Sequence, residues 1–573
     1  MKNIFIFFSL FISFCFAFPT HVLAKYDPLS VPNNHYGIHI VDPNDLGDAA
    51  KLVNSSNGDW GYVTLVIQDD DRDVGKWQRI FNEMRGLHLI PLVRLATHIE
   101  GDSWAKPYKD SASDWAKFLS SLNWPTENRY VIIFNEPNHA NEWGRSIDPE
   151  HYARTLREHA DKLRASSEDF FILPAGLDVS AASDDRSLDA AVYISRMLKA
   201  EPSLFDVIDG WTSHSYPNPA FSGSPYALGR GTLRSFQWEI QYLKSLGVTK
   251  QLPVFITETG WVHREGVMTN SSQLSSAQVG ANLVIAANTI WNDSSIVAIT
   301  PFVLSYQGLP FDHFSWKKLG SSEYYSQYDI YQGLIKKHGQ PKQREKYTSD
   351  HRIVPSSLVA GSTYVLSTLL KNEGQGILSE KDNQYKLKFV VEPSFLMVHD
   401  PLPIMEPSQY GTLTMHIETP NTPGKYTYAI QLVHHDAVIV LEEGEFVLVP
   451  PPSITIQAHL GWRTTNDTSN ATILIYDNNA LIHKVQGVPF KNGKAVVGEL
   501  RNVVPGNKYR IVSLVPYYLP SQRISTVKAD GTLVDLPRFY PLDFDLDGAL
   551  TIKDLFAVVK LQPNFITSLF IGP

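Results

Sequence analysis

From about Tyr36 to Lys337, short apolar runs rich in β-branched residues alternate with longer amphipathic stretches. The apolar runs, at residues 37–41, 62–67, 89–95, 130–134, 171–175, 207–213, 254–257 and 297–304, predict strands. Helical periodicity follows each of them, at 45–53, 76–84, 113–121, 149–164, 189–199, 233–246, 275–291 and 330–337. Ser113-Asp114 and Asp148-Pro149 are helix-start signals. Eight strand–helix units in about 300 residues have the size and rhythm of a (β/α)8 TIM barrel. The competing fold is a doubly wound open sheet. No glycine-rich phosphate loop follows the first run, which argues against a nucleotide-binding version of it.

After Thr348 the texture changes. Strand-like runs at 364–369, 385–391, 411–417, 426–433 and 437–449 recur between turn residues, with almost no helical period. They predict an Ig-like β-sandwich over 349–450. Pro450-Pro451-Pro452 is a stiff boundary. A second β-sandwich is expected over 451–536, with runs at 471–476, 494–500 and 509–514. Residues 537–573 form a short acidic and then helical tail. The catalytic candidate is thus 25–348, preceded by 1–24.

That first segment has its own signature. Met1-Lys2-Asn3 supplies positive charge, residues 4–18 are almost wholly apolar, and Val22-Leu23-Ala24 offers small-residue cleavage. The apolar run is short for a membrane span. The expectation is a signal peptide and a secreted, extracellular or cell-surface protein. The one cysteine, Cys15, lies inside it, so the mature chain would hold no thiol, disulfide or cysteine metal site. Composition adds little to this picture. At 43% hydrophobic and 19% charged residues the 573-residue chain is ordinary globular material. The 12 Trp and 26 Tyr suit β-rich cores and sugar-stacking platforms equally. A net charge of −9 without a basic block points away from nucleic acid and anionic membranes.

The chemistry concentrates at strand ends, where barrels carry active sites. The fourth strand runs into Phe134-Asn135-Glu136-Pro137-Asn138 and the seventh into Ile256-Thr257-Glu258-Thr259-Gly260-Trp261. Sheet packing gives no reason for a carboxylate at either place. Strands four and seven lie on opposed sides of an eight-strand ring, so the two carboxylates can face each other across its mouth. Cleaving a glycosidic bond needs such a pair, one carboxyl to protonate the leaving oxygen and one to attack or stabilise the anomeric carbon.

Asn135-Glu136-Pro137 after strand four, with Glu258 after strand seven, resembles glycoside hydrolase clan A, which includes the cellulase-type family 5 and the xylosidase-type family 39. The resemblance covers roughly residues 30–345. It implies a (β/α)8 barrel and double displacement, with Glu136 as acid/base and Glu258 as nucleophile, and no cofactor for catalysis. It also implies that Asn135 hydrogen-bonds the sugar 2-hydroxyl. Arg94 at the end of strand three is expected to ion-pair with Glu258 and lower its pKa. His214 and Tyr216 are expected to orient Glu258 or donate to it, and His39 to line the sugar site. Trp261 and Trp316 are candidate stacking platforms. His98, Glu100, His434, His435 and the run Asp69-Asp70-Asp71 read as solvated loop or surface groups rather than metal sites.

The tail carries a second motif. Asp543, Asp545, Asp547 and Asp554 occupy positions 1, 3, 5 and 12 of an acidic loop with Gly548 at position 6. Ala549 would add its carbonyl and Thr551 a direct or water-mediated contact, a hard oxygen set suited to Ca²⁺. The loop resembles a dockerin or EF-hand-like repeat, which implies a cohesin-type scaffold as partner. It departs from that family in having one repeat instead of two. The sequence therefore leads to a secreted retaining glycoside hydrolase acting on O-glycosidic bonds of a polysaccharide or oligosaccharide. The alternatives are a transglycosidase, or a non-catalytic carbohydrate-binding or cell-surface protein on a decayed barrel.

Overall fold

The computed structural model describes residues 25–381, 384–435 and 437–561. The expected signal segment and Cys15 lie outside them. The chain divides between Arg344 and Glu345 into two compact units.

The N-terminal unit is α/β. Eight parallel strands carry it: β1 (Gly37–His39), β2 (Gly61–Gln68), β3 (Leu89–Ala96), β4 (Arg129–Ile133), β5 (Phe170–Pro174), β6 (Trp211–His214), β7 (Val254–Glu258) and β8 (Ile296–Ile299). They form a five-stranded sheet in the order β1 to β5 and a three-stranded sheet in the order β6 to β8. The sheet edges are stitched on both sides. Asp209 N donates to Ile172 O at 2.9 Å and Thr212 Oγ1 to Pro174 O at 2.6 Å, joining β5 to β6. On the other side Tyr36 bridges Ile299 in parallel, and His39 N donates to Pro301 O at 3.0 Å.

The strands are buried on both faces, which is why they read as continuous apolar runs. One set of side chains, including Val63, Leu65, Val131, Ile172 and Ile256, packs outward against the helices. The alternate set, including Tyr62, Ile90, Leu92, Tyr130, Phe171, Leu173 and Phe255, forms a separate inner cluster. The period-2 geometry of a strand sends its residues to these two layers in turn.

The helices are α1 (Leu46–Val53), α2 (Val74–Gly86), α3 (Ser111–Ser121), α4 (Pro149–Ser166), α5 (Ala190–Ala200), α6 (Leu204–Val207), α7 (Ser235–Ser245), α8 (Ser276–Asn288) and α9 (Ser326–Gln332). Asp148 caps α4 through His151 N, and Ser275 with Gln278 forms a capping box on α8. Most boundaries shift by a few residues from the sequence reading, and three of the differences are larger. Residues 204–207 are a helical turn, so the sixth strand starts only at Trp211. The eighth strand ends at Ile299 rather than 304. The last helix is Ser326–Gln332, not 330–337, because Lys336 turns back and its buried ammonium caps the carbonyls of Tyr331, Gln332 and Leu334.

The second unit is β-rich. Its first half has two four-stranded sheets, one built on Thr363–Asn372 and Tyr410–Glu418 and the other on Gly424–His434 and Ala437–Val449. Leu370, Leu413 and Met415 from one sheet meet Tyr428, Ile430 and Phe446 from the other in a shared core, the packing of a β-sandwich. Its second half pairs a three-stranded sheet around Ile454–Gln457 with a four-stranded one around Thr468–Asp477. The long strand Ala480–Phe490 escaped the sequence reading, since its alternation is broken by Lys484, Gln486 and Gly487. The helix Ile552–Lys560 follows the acidic loop.

Candidate active site

The C-terminal ends of β3, β4, β6 and β7 converge on one cavity of about 390 Å³. A larger cleft of about 590 Å³ opens near the other ends of the strands, around Tyr26, Asp209 and Pro253. It brings together no comparable cluster of carboxyls and donors, and the smaller cavity holds the chemistry.

Glu136 enters the cavity from a strained turn. Phe134 and Glu136 have φ of +67° and +29°, values that side-chain-bearing residues seldom adopt. The turn is held by Glu136 N donating to Gly176 O at 3.1 Å and His139 N donating to Glu136 O at 2.9 Å. Gly176 must be glycine, because a Cβ there would collide with the His214 ring.

Glu258 is the last residue of β7 and sits opposite His214 in the β6–β7 register, where the pairing slips by one residue. Three groups address it. Arg94 Nη1 donates to Oε1 at 2.5 Å, Tyr216 donates its hydroxyl to Oε2 at 3.0 Å, and His214 Nδ1 lies 3.8 Å from Oε2. Burial alone would push this carboxyl up. The charges of His214 and Arg94 and the Tyr216 hydrogen bond overcome it and hold Glu258 at about 2. Burial likewise would lower the His214 imidazole, but the carboxylates of Glu258 and Glu136 reverse this and raise it. One carboxylate oxygen of Glu136, one of Glu258 and a ring nitrogen of His214 all lie within 4.8 Å of one another.

His214 departs from expectation in one respect. Its Nδ1 is 2.7 Å from Glu136 Oε1, so it sits closer to Glu136 than to Glu258. The slip in the β6–β7 register leaves it between the two acids. Asn135 also lines the cavity, its Oδ1 accepting from Arg94 Nη1 at 2.9 Å and its Nδ2 donating to Glu142 Oε2 at 3.3 Å.

Four expected residues are not among those that line the cavity: His214, which sits just behind the two acids, and three more. His39 is 1% exposed beneath it, packed edge-on against Phe302, and burial lowers it to about 3, so it stays neutral. Trp261 and Trp316 are 2% and 3% exposed and belong to the main hydrophobic cluster. Trp261 spends its indole N–H on Gly223 O at 2.8 Å, and Trp316 packs edge-on against Tyr331. Neither offers a free ring face to a sugar. The aromatic lining comes instead from Trp104, Phe221, Phe302, Phe311 and Phe314.

The sequence reading also missed Glu142, His139 and Asp178, which line the cavity. His139 Nε2 pairs with Asp178 Oδ2 at 3.0 Å, and this bond raises the histidine. The only sequence signal for the first two was the polar character of Asn138, His139, Asn141 and Glu142 just past Glu136.

In the tail, ligand-type oxygens of Asp543, Asp545 and Asp547 also lie within 4.8 Å of one another. Asp543 is buried, and among the described residues its Oδ1 has no hydrogen-bond partner. Asp554 is buried differently. Its Oδ1 accepts from Phe544 N at 2.8 Å and its Oδ2 from Thr551 N at 2.6 Å, so it shapes the loop and caps the helix.

No family model matches the chain, and no curated protein matches it. Among solved structures, it is similar to a family 39 glycoside hydrolase from the gut symbiont Bacteroides cellulosilyticus, at 14% identity and a TM-score of 0.36, over 72% of this chain and 82% of that one. It is similar to a calcium-binding mutant of beta-glucuronidase 2 from Bacteroides uniformis, at 9% identity and a TM-score of 0.35, over 87% and 64%. The major pilin subunit BcpA of Bacillus cereus overlaps 36% of this chain and 72% of its own, at 12% identity and a TM-score of 0.17. Overlaps at these scores identify neither a fold nor a family.

Proposed function

We propose that the N-terminal unit is a closed (β/α)8 barrel and that the protein is a secreted glycoside hydrolase acting with retention on the O-glycosidic bonds of a polysaccharide or oligosaccharide. The stitched sheet edges and the separate inner cluster support the barrel. One observation carries the activity. Two carboxyl groups approach within 4.8 Å in one cavity, and one of them, Glu258, is held ionised with the help of an arginine and a tyrosine. Retaining enzymes place their carboxyls about 5–5.5 Å apart, and inverting ones leave about 6.5–9.5 Å for a water.

In this reading Glu258 attacks the anomeric carbon while Glu136 gives its proton to the departing glycosidic oxygen. The C–O bond breaks and a glycosyl ester forms on Glu258. Glu136, now ionised, takes a proton from a water that attacks the same carbon and releases Glu258. Two inversions leave the configuration retained. His214, between the acids, stabilises whichever one is ionised. Asn135, fixed by Arg94 and Glu142, has its remaining amide hydrogen for the sugar 2-hydroxyl.

The tail is proposed to bind Ca²⁺. The orphaned Oδ1 of Asp543, close to Asp545 and Asp547, fits a hard cation, and Ala549 O and Thr551 would complete the oxygen set. A bound cation would neutralise three converging carboxylates. The helix Ile552–Lys560 exposes Leu555, Phe556 and Val559, a face that a cohesin-type partner would cover. Secretion rests on the sequence of residues 1–24. Among the described residues no helix is long and apolar enough to cross a membrane.

The test is a screen of β-glucans, xylans, mannans and aryl β-glycosides with proton NMR of the first-formed anomer. Retention with Glu258→Ala falling by about 10⁴-fold or more is expected. An inverted first product, or activity indifferent to Glu258→Ala, rejects the reading.

A further inference from the structure

We propose that Glu142 is a specificity-determining residue. Its carboxyl group takes a hydrogen-bond donor, a hydroxyl or an ammonium, from the sugar at the cleavage point, and the cavity turns away sugars that carry an anionic group there. This rests on the glycosidase reading above.

Glu142 is placed by structure, not by chance exposure. It ends the 3₁₀ turn Ala140–Glu142 on the same loop as Glu136. Ala140 N donates to Arg186 O at 2.8 Å, Glu142 N to His139 O at 3.1 Å, and Trp143 N to Ala140 O at 3.2 Å. The next residue, Trp143, is buried and packs against Phe134 and Tyr152, which anchors the turn. The Glu142 carboxyl is therefore carried on a fixed support into the cavity.

Architecture does not consume that carboxyl. Among the described residues its one hydrogen bond comes from Asn135 Nδ2, and it takes part in no ion pair. A largely buried carboxyl kept for packing alone is normally paired or capped. Asn135 is the residue expected to meet the 2-hydroxyl, so a sugar seated on Asn135 brings its neighbouring substituents to Glu142.

The charge of the lining sets the class of sugar. Glu136, Glu142, Asp178 and Glu258 bring carboxyl groups, while the basic lining residues are Arg94 and His139. Arg94 is spent on Glu258 and Asn135, and His139 on Asp178. A carboxylate or sulfate on the sugar would find no uncommitted cation among these groups and would face repulsion from the acids. A hydroxyl or ammonium would find an acceptor. Burial, with the charge of Glu136 added and that of Arg94 opposing, pushes Glu142 up to about 7, so near neutrality it can accept from a hydroxyl and, once ionised, attract an ammonium.

The experiment uses the full chain and matched 4-nitrophenyl β-glycosides of the gluco, manno and galacto series in three forms: neutral, 2-amino-2-deoxy and uronic acid. Wild type is expected to favour the neutral or amino form over the uronide by about 100-fold in kcat/KM. Glu142→Gln should narrow that ratio about tenfold, mainly through KM of the favoured form, and Glu142→Asp should restore part of it. The faster of the neutral and amino forms identifies the donor. If all forms fall together in Glu142→Gln, or wild type prefers the uronide, the inference is overturned while the glycosidase reading stands. If wild type turns over no glycoside, or its turnover is unchanged in Glu258→Gln, both fall.

Discussion

Among the described residues two tight acid clusters form, and they are built on opposite principles. In the α/β unit Glu136, His214 and Glu258 converge under Arg94 and Tyr216. In the tail Asp543, Asp545 and Asp547 converge, and each accepts a hydrogen bond from a backbone N–H group of the loop. The first cluster carries its own countercharge, which keeps Glu258 ionised. Among the described residues the second does not, and its buried Asp543 oxygen has no partner there. Similar spacing therefore leads to different chemistry. Internal cations divide labour between acids, whereas their absence calls for a cation from outside.

The sharpest way to break this contrast is to remove the internal cation. Arg94→Met should cost about 10²–10³-fold in kcat/KM, because a buried carboxylate loses its pair. The sign of the pH effect follows from the direction of the shift. Glu258 is held at about 2, below its ordinary value, so its ionised form persists into acid. Without Arg94 its pKa rises, and the acid limb of the rate profile should move up by about a unit or more. An unmoved limb would separate Arg94 from Glu258 ionisation. Tyr216→Phe should move it in the same direction by less, with about a tenfold loss.

A third acid sharpens the rule from the other side. Glu239 is wholly buried on α7, forms no ion pair among the described residues, and burial raises it to about 7 against the weaker pull of His214 and Arg230. A raised carboxyl contributes fully below the unfolded value and loses that contribution as pH rises through the folded one. Glu239→Gln should then be stabilising at pH 8 relative to pH 5, by about 3 kcal/mol in denaturant melts. Equal effects at both pH values would mean that Glu239 has a partner in its ionised form.

The tail gives the smallest expected effect on activity. Ca²⁺ at about 100 times its Kd should stabilise the second unit by about 2.7 kcal/mol in calorimetry, and chelation should reverse this without changing kcat. Asp543→Asn should abolish the response. A calcium response that survives it would move the site elsewhere.

The sequence disclosed the acids more readily than their surroundings. Glu136 and Glu258 stand out because a carboxylate directly after an apolar strand has no packing reason to be there. Arg94, His214 and Tyr216 follow from the same rule, since each sits at or just past a strand end. Glu142, Asp178 and Phe311 lie on loops whose paths no periodicity encodes. Trp261 and Trp316 were misplaced for a related reason. A tryptophan beside a functional residue reads the same whether it faces a ligand or the core, and here an indole N–H bond and an edge-on tyrosine turn both inward.

The turn at Phe134 and Glu136 has a consequence for the speed of the reaction rather than its chemistry. Left-handed backbone at residues other than glycine costs about 1–3 kcal/mol each and survives only where its surroundings over-determine it. Here Gly176, His139 and the loop beyond hold it. The work of bending the chain is done at folding, once, and is not repeated at each encounter with a substrate. Little of the activation barrier should then be spent on rearranging the proton donor.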